Sequence, residues 1–97
     1  MKFSWDPKKS ASNKEKHGID FEQTKEVFFD DNAIVDKGKT VNGEERWITI
    51  GKTLKLFIIT VVFIIRDTTI RIISARQARK NEIKEYISNS FKEEEDE

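Results

Sequence analysis

One stretch of the chain carries the clearest pattern: residues 71–82, Arg-Ile-Ile-Ser-Ala-Arg-Gln-Ala-Arg-Lys-Asn-Glu. Its first part is typical of a β-strand and its second part of a helix, with four cationic side chains across the junction. All five arginines of the chain lie between Arg46 and Arg79. A core does not require this clustering, whereas guanidinium groups bind phosphate through two-point contacts. The stretch therefore indicates an anionic ligand, and in particular RNA or DNA.

The junction itself predicts a helix that begins at Ser74. Serine is a favoured N-cap, and Gln77 three residues later completes a capping box. The predicted helix buries one apolar side and ends near Ser88. Its inward residues are Ala75, Ala78, Ile83, Tyr86 and Ile87. Arg71 on the strand and Arg76 at the helix N-terminus would then lie close together, with Lys80 one helical turn further on.

The charge of the chain divides it into two parts. The 97 residues suit one domain, and the formal net charge is zero. The last five residues, 93–97, are all acidic, so residues 1–92 hold 18 basic and 13 acidic side chains. We predict one compact domain over 1–89 and a disordered acidic tail over 90–97, with competition of the tail for the basic surface as the alternative.

Several classes of protein are disfavoured by what the sequence lacks. Without cysteine there is no disulfide framework, and the start of the chain lacks the pattern of a secretory signal. The longest apolar run, 54–65, is too short to span a membrane as a helix. His17 is the single histidine, and no metal-ligand spacing is recognisable, so no metal and no cofactor are expected. These features predict a soluble, cytoplasmic protein.

The remaining pattern predicts an α+β fold with a small antiparallel sheet, two N-terminal helices and a C-terminal helix. A short strand precedes Asp6-Pro7, which is a typical helix N-cap and first turn, and Gly18 is expected to end this first helix. Asp20 caps a second helix. Only Ala11 in the first helix is small enough to approach a sheet closely.

The strands follow from Ala33 onward. We predict a short strand at 33–35, a polar loop at 38–43, a strand at 45–50 and a hairpin turn at 51–53. Residues 54–65 are nearly all apolar, which predicts the central strand, covered on both faces. After a turn at 66–68, the last strand is expected at 69–73.

The first helix is a candidate source of chemistry because it has no large apolar residue. Lys9, Asn13, Lys16 and His17 are spaced so that they lie along one face. A histidine can serve as general base or acid in phosphodiester cleavage. A solvated polar face, with His17 beside the negative end of the helix, is the plain alternative.

The basic residues also have plain interpretations. Arg76 can pair with Glu82 or with the acidic tail, and Arg71 and Lys80 can be ordinary surface residues. Trp5 and Trp47 are more often core or interface anchors than stacking platforms for bases. Metal-free RNA cleavage uses the 2′-hydroxyl as nucleophile, so it needs charge stabilisation and proton transfer, which cationic side chains can supply.

Several motifs, in this order, resemble the BrnT family of ribonuclease toxins over about residues 3–86. They are Phe3-Ser4-Trp5-Asp6-Pro7, Lys9, Asn13, Lys16-His17-Gly18, Phe21-Glu22, Gly43-Glu44-Glu45-Arg46, Ile50-Gly51, Arg66 and Arg71-Ile72-Ile73-Ser74-Ala75-Arg76. The resemblance implies a RelE-like fold and a metal-independent endoribonuclease of a bacterial type II toxin–antitoxin system, which inhibits translation.

The resemblance also implies partners and site residues. The implied antitoxin is BrnA-like, with a ribbon-helix-helix domain, and the toxin contacts DNA only through the complex with this antitoxin. The resemblance is compatible with a dimer or with a heterotetramer of toxin and antitoxin. The implied catalytic residues are Lys9, His17, Arg71, Arg76 and Lys80. The implied RNA-binding residues are Lys16, Arg46, Arg66 and Arg79.

The chain departs from the family pattern at three positions. Phe63 and Ile64 replace a tyrosine and a small hydroxyl residue that are common in relatives, and Arg79 replaces threonine or serine. If those hydroxyls position RNA, activity here is weaker or altered. Two other functions stay open, a nucleic-acid-binding module without catalysis and a protein-interaction module. For the enzyme, Arg76→Ala is expected to abolish toxicity with little change in melting temperature.

Overall fold

The chain forms a five-stranded mixed sheet with helices against it, and the computed structural model describes residues 1–95. The sheet order is β1-β5-β4-β3-β2. The strands are β1 (Lys2–Ser4), β2 (Ile34–Val41), β3 (Glu44–Lys52), β4 (Ile58–Arg66) and β5 (Thr69–Gln77). The helices are α1 (Pro7–His17), α2 (Phe21–Thr24) and α3 (Lys80–Glu95). The α+β class is therefore as predicted, but the sheet is neither small nor wholly antiparallel, because β1 pairs with β5 in parallel.

Helix α1 begins and ends where the sequence predicted. The Asp6 side chain accepts a hydrogen bond from the Lys8 amide at 2.9 Å, and Gly18 ends the helix with a φ of 73°. A left-handed residue at this position favours glycine because a side chain would be strained there. Asp20 caps α2 through a capping box with Gln23. Helix α2 is only one turn long, and a 3-10 segment, Lys25–Phe29, follows it.

Polar side chains, rather than Ala11, hold α1 against the sheet. Ala11, the one residue of the helix that the sequence suggested could approach the sheet, is exposed, and Asn13 is buried instead. Asn13 Nδ2 donates to the Ile19 carbonyl at 2.8 Å, and its Oδ1 accepts from the Ala75 amide at 3.2 Å. Ser10 Oγ accepts from the Phe21 amide at 2.9 Å. A helix without large apolar residues is thus joined to both α2 and β5 by hydrogen bonds.

The middle of the sheet differs from the predicted loops. Residues 38–43 are not a polar loop, because β2 continues to Val41 and pairs with β3 around a tight turn at Asn42-Gly43. Both turn residues have positive φ, 51° and 77°, which is the backbone of a favoured hairpin turn. β4 begins at Ile58, so Leu54 and Leu56 lie in the preceding loop and are exposed. β4 is the central strand, as predicted.

The predicted helix start at Ser74 was wrong. β5 continues to Gln77 and α3 begins at Lys80. Ala75 is 2% exposed and pairs with Val61 of β4, and burial of this side chain in the sheet outweighs the local capping pattern. The helix N-terminus is held instead by Glu82, whose carboxylate accepts from the Arg79 amide at 2.8 Å.

Helix α3 is longer than predicted. It continues past Ser88 through Glu95, so it overlaps the segment 90–97 that was predicted as an acidic tail. Tyr86 is buried, as predicted, whereas Ile87 is 45% exposed. The division into a domain of 1–89 and a disordered tail stays a prediction, and residues 96–97 lie outside the described part of the chain.

The core lies between one face of the sheet and the α1–α2 region, and we call this side of the sheet the core face. Its buried residues are Ile19, Phe21, Val27, Ile59, Val61, Phe63, Ile72 and Ala75. Phe28 packs edge-on against Phe63, with ring centroids 5.0 Å apart. Within residues 1–95, no helix is long and apolar enough to cross a membrane.

Candidate functional site

A β-bulge in β5 brings its two arginines to the same face of the sheet. Side chains of a regular strand alternate between faces, so Arg71 and Arg76, five residues apart, would point to opposite sides. The pairing between β4 and β5 shifts by one residue: Phe63 pairs with Ile72, but Val62 pairs with Ser74. Ile73 is the extra residue of this bulge, and because of it Arg71 and Arg76 point to the same face of the sheet. Such bulges re-aim side chains, often near active sites.

The same face carries four of the five arginines. Arg71 pairs with Ile64 of β4, and Arg76 pairs with Thr60. Alternate residues of a regular strand point to the same face, so Thr60, Ile64 and Arg66 share one face of β4. On β3, Ile48 and Ile50 pair with Val62 and Thr60 of that same face. Arg46 is the next alternate residue of β3, so it lies on this face too. We call this side the arginine face. Its arginines are Arg46, Arg66, Arg71 and Arg76.

Arg71 is the least engaged arginine of β5. Its Nη1 donates to Ser4 Oγ of β1 at 3.3 Å. Among residues 1–91, whose side chains the structure describes, no carboxylate pairs with it. The side chain is half-buried, which limits the entropy lost when it binds a ligand. Most of its five N–H donors therefore remain available for phosphate oxygens.

Arg76 is held by Glu82, as the plain interpretation of the sequence suggested. Its Nη1 donates to Glu82 Oε1 at 2.7 Å and its Nη2 to Oε2 at 3.0 Å. Thr60 Oγ1 donates to Glu82 Oε1 at 3.1 Å. Arg76 Nη1 also donates to the Gln77 carbonyl at 3.3 Å. The opposite edge of the guanidinium, with Nε–H and the second Nη2–H, makes no hydrogen bond to the described side chains and backbone of residues 1–91 and can bind an anion.

This pairing makes Glu82 an unusually strong acid. The hydrogen bond from Arg76 lowers the pKa of Glu82 from an ordinary 4.5 to about 2, against burial, which raises it. The Arg79 amide and the Thr60 hydroxyl lower the pKa further. The carboxylate is therefore ionised at neutral pH and fixes the guanidinium plane of Arg76.

Glu82→Gln should lower stability in a pH-dependent way. Because the pKa of Glu82 is lower in the folded chain, its stabilising effect is present above pH 4.5 and is lost as the pH falls toward 2. We expect the free energy of unfolding of wild type to exceed that of Glu82→Gln by about 1 to 2 kcal/mol at pH 7. The effect is no larger because the Arg76 side chain is still 32% exposed and solvent screens the pair. Urea unfolding at pH 7, 4.5 and 3 measures this difference, and a constant difference across these pH values would contradict the assignment.

Arg66 is paired as well, but at the surface. Its Nε and Nη2 donate to the two carboxylate oxygens of Glu44 at 2.9 and 3.1 Å. The hydrogen bond lowers the pKa of Glu44 and raises the pKa of Arg66. The outer Nη1 group of Arg66 is left for a ligand. Arg46 lies nearby, where its charge also lowers the pKa of Glu44.

The other predicted cations do not lie on one helix with Arg76. Arg76 belongs to a strand and Lys80 to the first turn of α3, so the predicted helical spacing between them was wrong. Arg79 lies in the connection between β5 and α3 and is exposed. Lys9 and Lys16 are exposed on α1, whereas Asn13, predicted on the same face, is buried. The sequence predicted that Arg71 and Arg76 meet at a helix N-terminus, but both lie on β5, where they share one face of the strand.

His17 lines a separate cleft on the core side. This cleft lies between the end of α1, the start of α2 and the loop before β4, and it includes Gln77. No described contact joins His17 to an arginine. Two further residues that line the cleft, Gln77 and Phe57, were not identified as site residues from the sequence. For Gln77 the reason is that only the pairing of β4 with β5 reveals which face it points to.

The tryptophans have structural roles, as the plain interpretation proposed. Trp5 and Trp47 pack against the hydrophobic core. Lys25 Nζ lies 5.5 Å from the Trp5 ring, and Lys37 Nζ lies 5.9 Å from the Trp47 ring. Among the described side chains, those of residues 1–91, no group of three His, Asp or Glu is arranged to hold a metal ion.

A family model described as "Ribonuclease toxin, BrnT, of type II toxin-antitoxin system" matches residues 5–82. The chain belongs to the BrnT family. Its structure is similar to the crystal structure of the Brucella abortus ribonuclease toxin, BrnT, with a TM-score of 0.66 and 31% sequence identity. That comparison covers 82% of this chain and 99% of the Brucella chain. No curated protein sequence matches the chain.

BrnT membership confirms the resemblance seen in the sequence. The chain is a ribonuclease toxin of a type II toxin–antitoxin system, so RNA is its substrate class and an antitoxin its partner class. The matched region contains all four arginines of the arginine face and ends at Glu82, in the first turn of α3. The rest of α3 lies outside the match.

Phe63 and Ile64, where the sequence suggested departures from the BrnT pattern, lie on opposite faces of β4. Phe63 is 4% exposed and belongs to the core cluster. Ile64 lies on the arginine face, across from Arg71, and is 2% exposed. Of these two positions on β4, Ile64 is the one that lies beside the arginines.

Proposed function

We propose that this BrnT protein is an endoribonuclease that cleaves RNA without a metal ion and binds the scissile phosphate on the arginine face. The observation that carries the proposal is the bulge at Ile73, which aligns Arg71, Ser74 and Arg76 on one face. An otherwise regular antiparallel pair would separate the two arginines. The fold is proposed to be RelE-like.

The chemistry uses the neighbouring 2′-hydroxyl as nucleophile. Its oxygen attacks phosphorus, negative charge grows on the phosphorane oxygens, and the 5′-oxygen leaves with a proton. The products are a 2′,3′-cyclic phosphate and a 5′-hydroxyl. Arg71 and the open edge of Arg76 stabilise the growing charge, which is often the largest catalytic contribution. Each bond is charge-assisted and directional.

The other predicted site residues complete the proposal. His17 and Lys9 lie on α1, on the core face, so they can transfer protons only if the RNA passes around the end of β5 from the arginine face. Lys80 adds positive charge beside Arg76. Flanking phosphates contact the more exposed cations, three on or beside the arginine face and one on α1 at the core face. These are Lys16, Arg46, Arg66 and Arg79.

The biological setting is proposed from family membership. The chain acts in the cytoplasm, where its cleavage of RNA inhibits translation. Its antitoxin is BrnA-like, with a ribbon-helix-helix domain, and the complex, a dimer or heterotetramer, contacts DNA through the antitoxin. Neutralisation requires only that the antitoxin block access of RNA to the arginine face.

The test is cleavage of an end-labelled RNA by the purified protein in EDTA. We expect cleavage with 2′,3′-cyclic phosphate ends, and no cleavage at a site where a single 2′-deoxynucleotide removes the nucleophile. Cleavage that requires added Mg²⁺, or that persists at the 2′-deoxy site, would contradict the proposed chemistry.

RNA binding without cleavage is the second candidate function. It is favoured by the carboxylates of Glu44 and Glu82, which already occupy one edge of Arg66 and Arg76. RNA that is bound, released by salt and recovered intact would support this candidate.

A further inference from the structure

The cleft beside His17 has the size and lining of a site for one planar heterocycle. Its volume is about 180 Å³, which corresponds to roughly six water molecules of the liquid. Ile19 and Ile59, both less than 5% exposed, form its apolar floor. Phe57 at its rim is 53% exposed, so its ring is available for stacking.

The polar groups of the cleft have unused hydrogen-bonding capacity. Gln23 accepts a hydrogen bond from the Asp20 amide through Oε1, which leaves its Nε2 without a partner in the described residues. The Gln77 side-chain amide and the His17 ring make no hydrogen bond to residues 1–91, whose side chains the structure describes. A carboxamide offers both a donor and an acceptor, as the edge of a nucleobase does.

The rim of the cleft is braced in the absence of a ligand. The Thr53 amide donates to the Phe57 carbonyl at 2.8 Å, and Thr53 Oγ1 accepts from the Phe57 amide at 3.2 Å. These bonds close the loop before β4 and hold the Phe57 backbone in place. Little ordering is therefore required when a ring enters, which favours binding.

The cleft adjoins the arginine face at the end of β5. Gln77 pairs with Ile59 and points to the core side, whereas its neighbour Arg76 points to the arginine face. An RNA chain that passes around this end of the strand can place a phosphate at Arg76 and an adjacent base in the cleft. Single-stranded RNA is commonly read through such splayed bases, by stacking and by contacts to base edges.

We propose that this cleft is a nucleobase subsite, in which Gln77 and Gln23 select the base next to the scissile phosphate and Phe57 stacks on it. The subsite rests on the proposed ribonuclease function for its biological role. Its binding of a base can be tested without cleavage.

The binding test uses the single histidine as a reporter. The His17 ring gives one set of imidazole NMR signals, and these are followed during titration with each of the four nucleoside 5′-monophosphates. Ribose 5-phosphate is the control for binding through phosphate alone. We expect at least one nucleotide to shift the His17 and Gln77 side-chain signals while ribose 5-phosphate does not. No shift with any nucleotide, or equal shifts with ribose 5-phosphate, would overturn the subsite.

The selectivity test compares Gln77→Leu with Asn81→Leu, an exposed amide on α3 outside the cleft. Sequencing of cleaved RNA ends gives the base preference at each position beside the cut. Gln77→Leu should reduce the preference at one flanking position about tenfold, whereas Asn81→Leu leaves it unchanged. An unchanged preference in Gln77→Leu would overturn the subsite while the ribonuclease function stands. If wild type does not cleave RNA, the ribonuclease proposal fails and the nucleotide titration still decides the cleft.

Discussion

Arg71→Ala lowers the rate of RNA cleavage by about 100-fold or more and leaves the protein folded. The rate falls because Arg71 is the arginine of β5 that has no carboxylate partner in the described residues, so its charge is most available to the phosphorane. Loss of one donor that stabilises developing charge typically reduces the rate by about 10² to 10³. Single-turnover cleavage in EDTA measures this effect directly.

Stability changes little in the same variant. Arg71 makes one long hydrogen bond, to Ser4 Oγ at 3.3 Å, and we expect a loss of about 1 kcal/mol or less in the free energy of unfolding. Ser4→Ala is the matched control, because it removes that hydrogen bond but keeps the guanidinium. It should cleave RNA within a few-fold of wild type. A large loss in Ser4→Ala, or full activity in Arg71→Ala, would remove Arg71 from the catalytic site.

Arg76→Ala is a less informative variant than the sequence suggested. Removing the guanidinium leaves the Glu82 carboxylate, 13% exposed, with only the Arg79 amide and the Thr60 hydroxyl as donors. A partly buried charge without its partner is destabilising. The melting temperature should therefore fall together with activity, so the unchanged melting temperature expected from the sequence is not supported by these contacts.

Asn13→Ala lowers the free energy of unfolding by about 2 to 4 kcal/mol. The side chain is 8% exposed and satisfies two backbone groups that are distant in sequence, the Ile19 carbonyl and the Ala75 amide. Each buried group left without a partner costs about 1 to 3 kcal/mol. For a chain of this size, we expect the melting temperature to fall by roughly 10 to 20 °C. Urea denaturation and thermal melting measure the loss.

Ser12→Ala is the control for Asn13→Ala. Ser12 is exposed on the same helix, and alanine favours helix at least as well, so its stability should stay within about 0.5 kcal/mol of wild type. If Asn13→Ala is equally mild, the hydrogen bonds from α1 to α2 and β5 do not hold the helix in place.

The bounds of α1 could be predicted because local residues determine them. Asp6 satisfies an amide two residues away, and Gly18 adopts a backbone conformation that most residues avoid. The contacts of the helix could not be predicted in the same way. Asn13 binds the Ala75 amide 62 residues away, and nothing in the local pattern of α1 indicates that partner.

The end of β5 shows the opposite case, in which a strong local signal misleads. Ser74 and Gln77 fit a capping box, but pairing of Ala75 with Val61 keeps the chain extended. The bulge at Ile73 depends on the register between two strands, which a single sequence does not display. The clustering of arginines was therefore visible in the sequence, whereas their common face was not.

The pairing of Arg66 also depends on tertiary structure, whereas the pairing of Arg76 is local. Glu44 reaches Arg66 from 22 residues away, between the neighbouring strands β3 and β4, but Glu82 in the first turn of α3 is only six residues from Arg76. The sequence suggested Glu82 as a partner of Arg76, and the structure confirms it. That Arg71 has no carboxylate partner among the described side chains, unlike Arg76, became clear only from the fold.

The most direct test of the arginine face is an NMR titration of the protein with a 2′-deoxy-substituted RNA that cannot be cleaved. The five arginines give separate Nε–H signals, which report on the guanidinium groups themselves. If RNA binds as proposed, the Arg71 and Arg76 signals shift at the lowest RNA concentrations, together with the Ser74 amide between them. If those signals stay in place while RNA binds elsewhere, for example along α1, the scissile phosphate is not held on the arginine face.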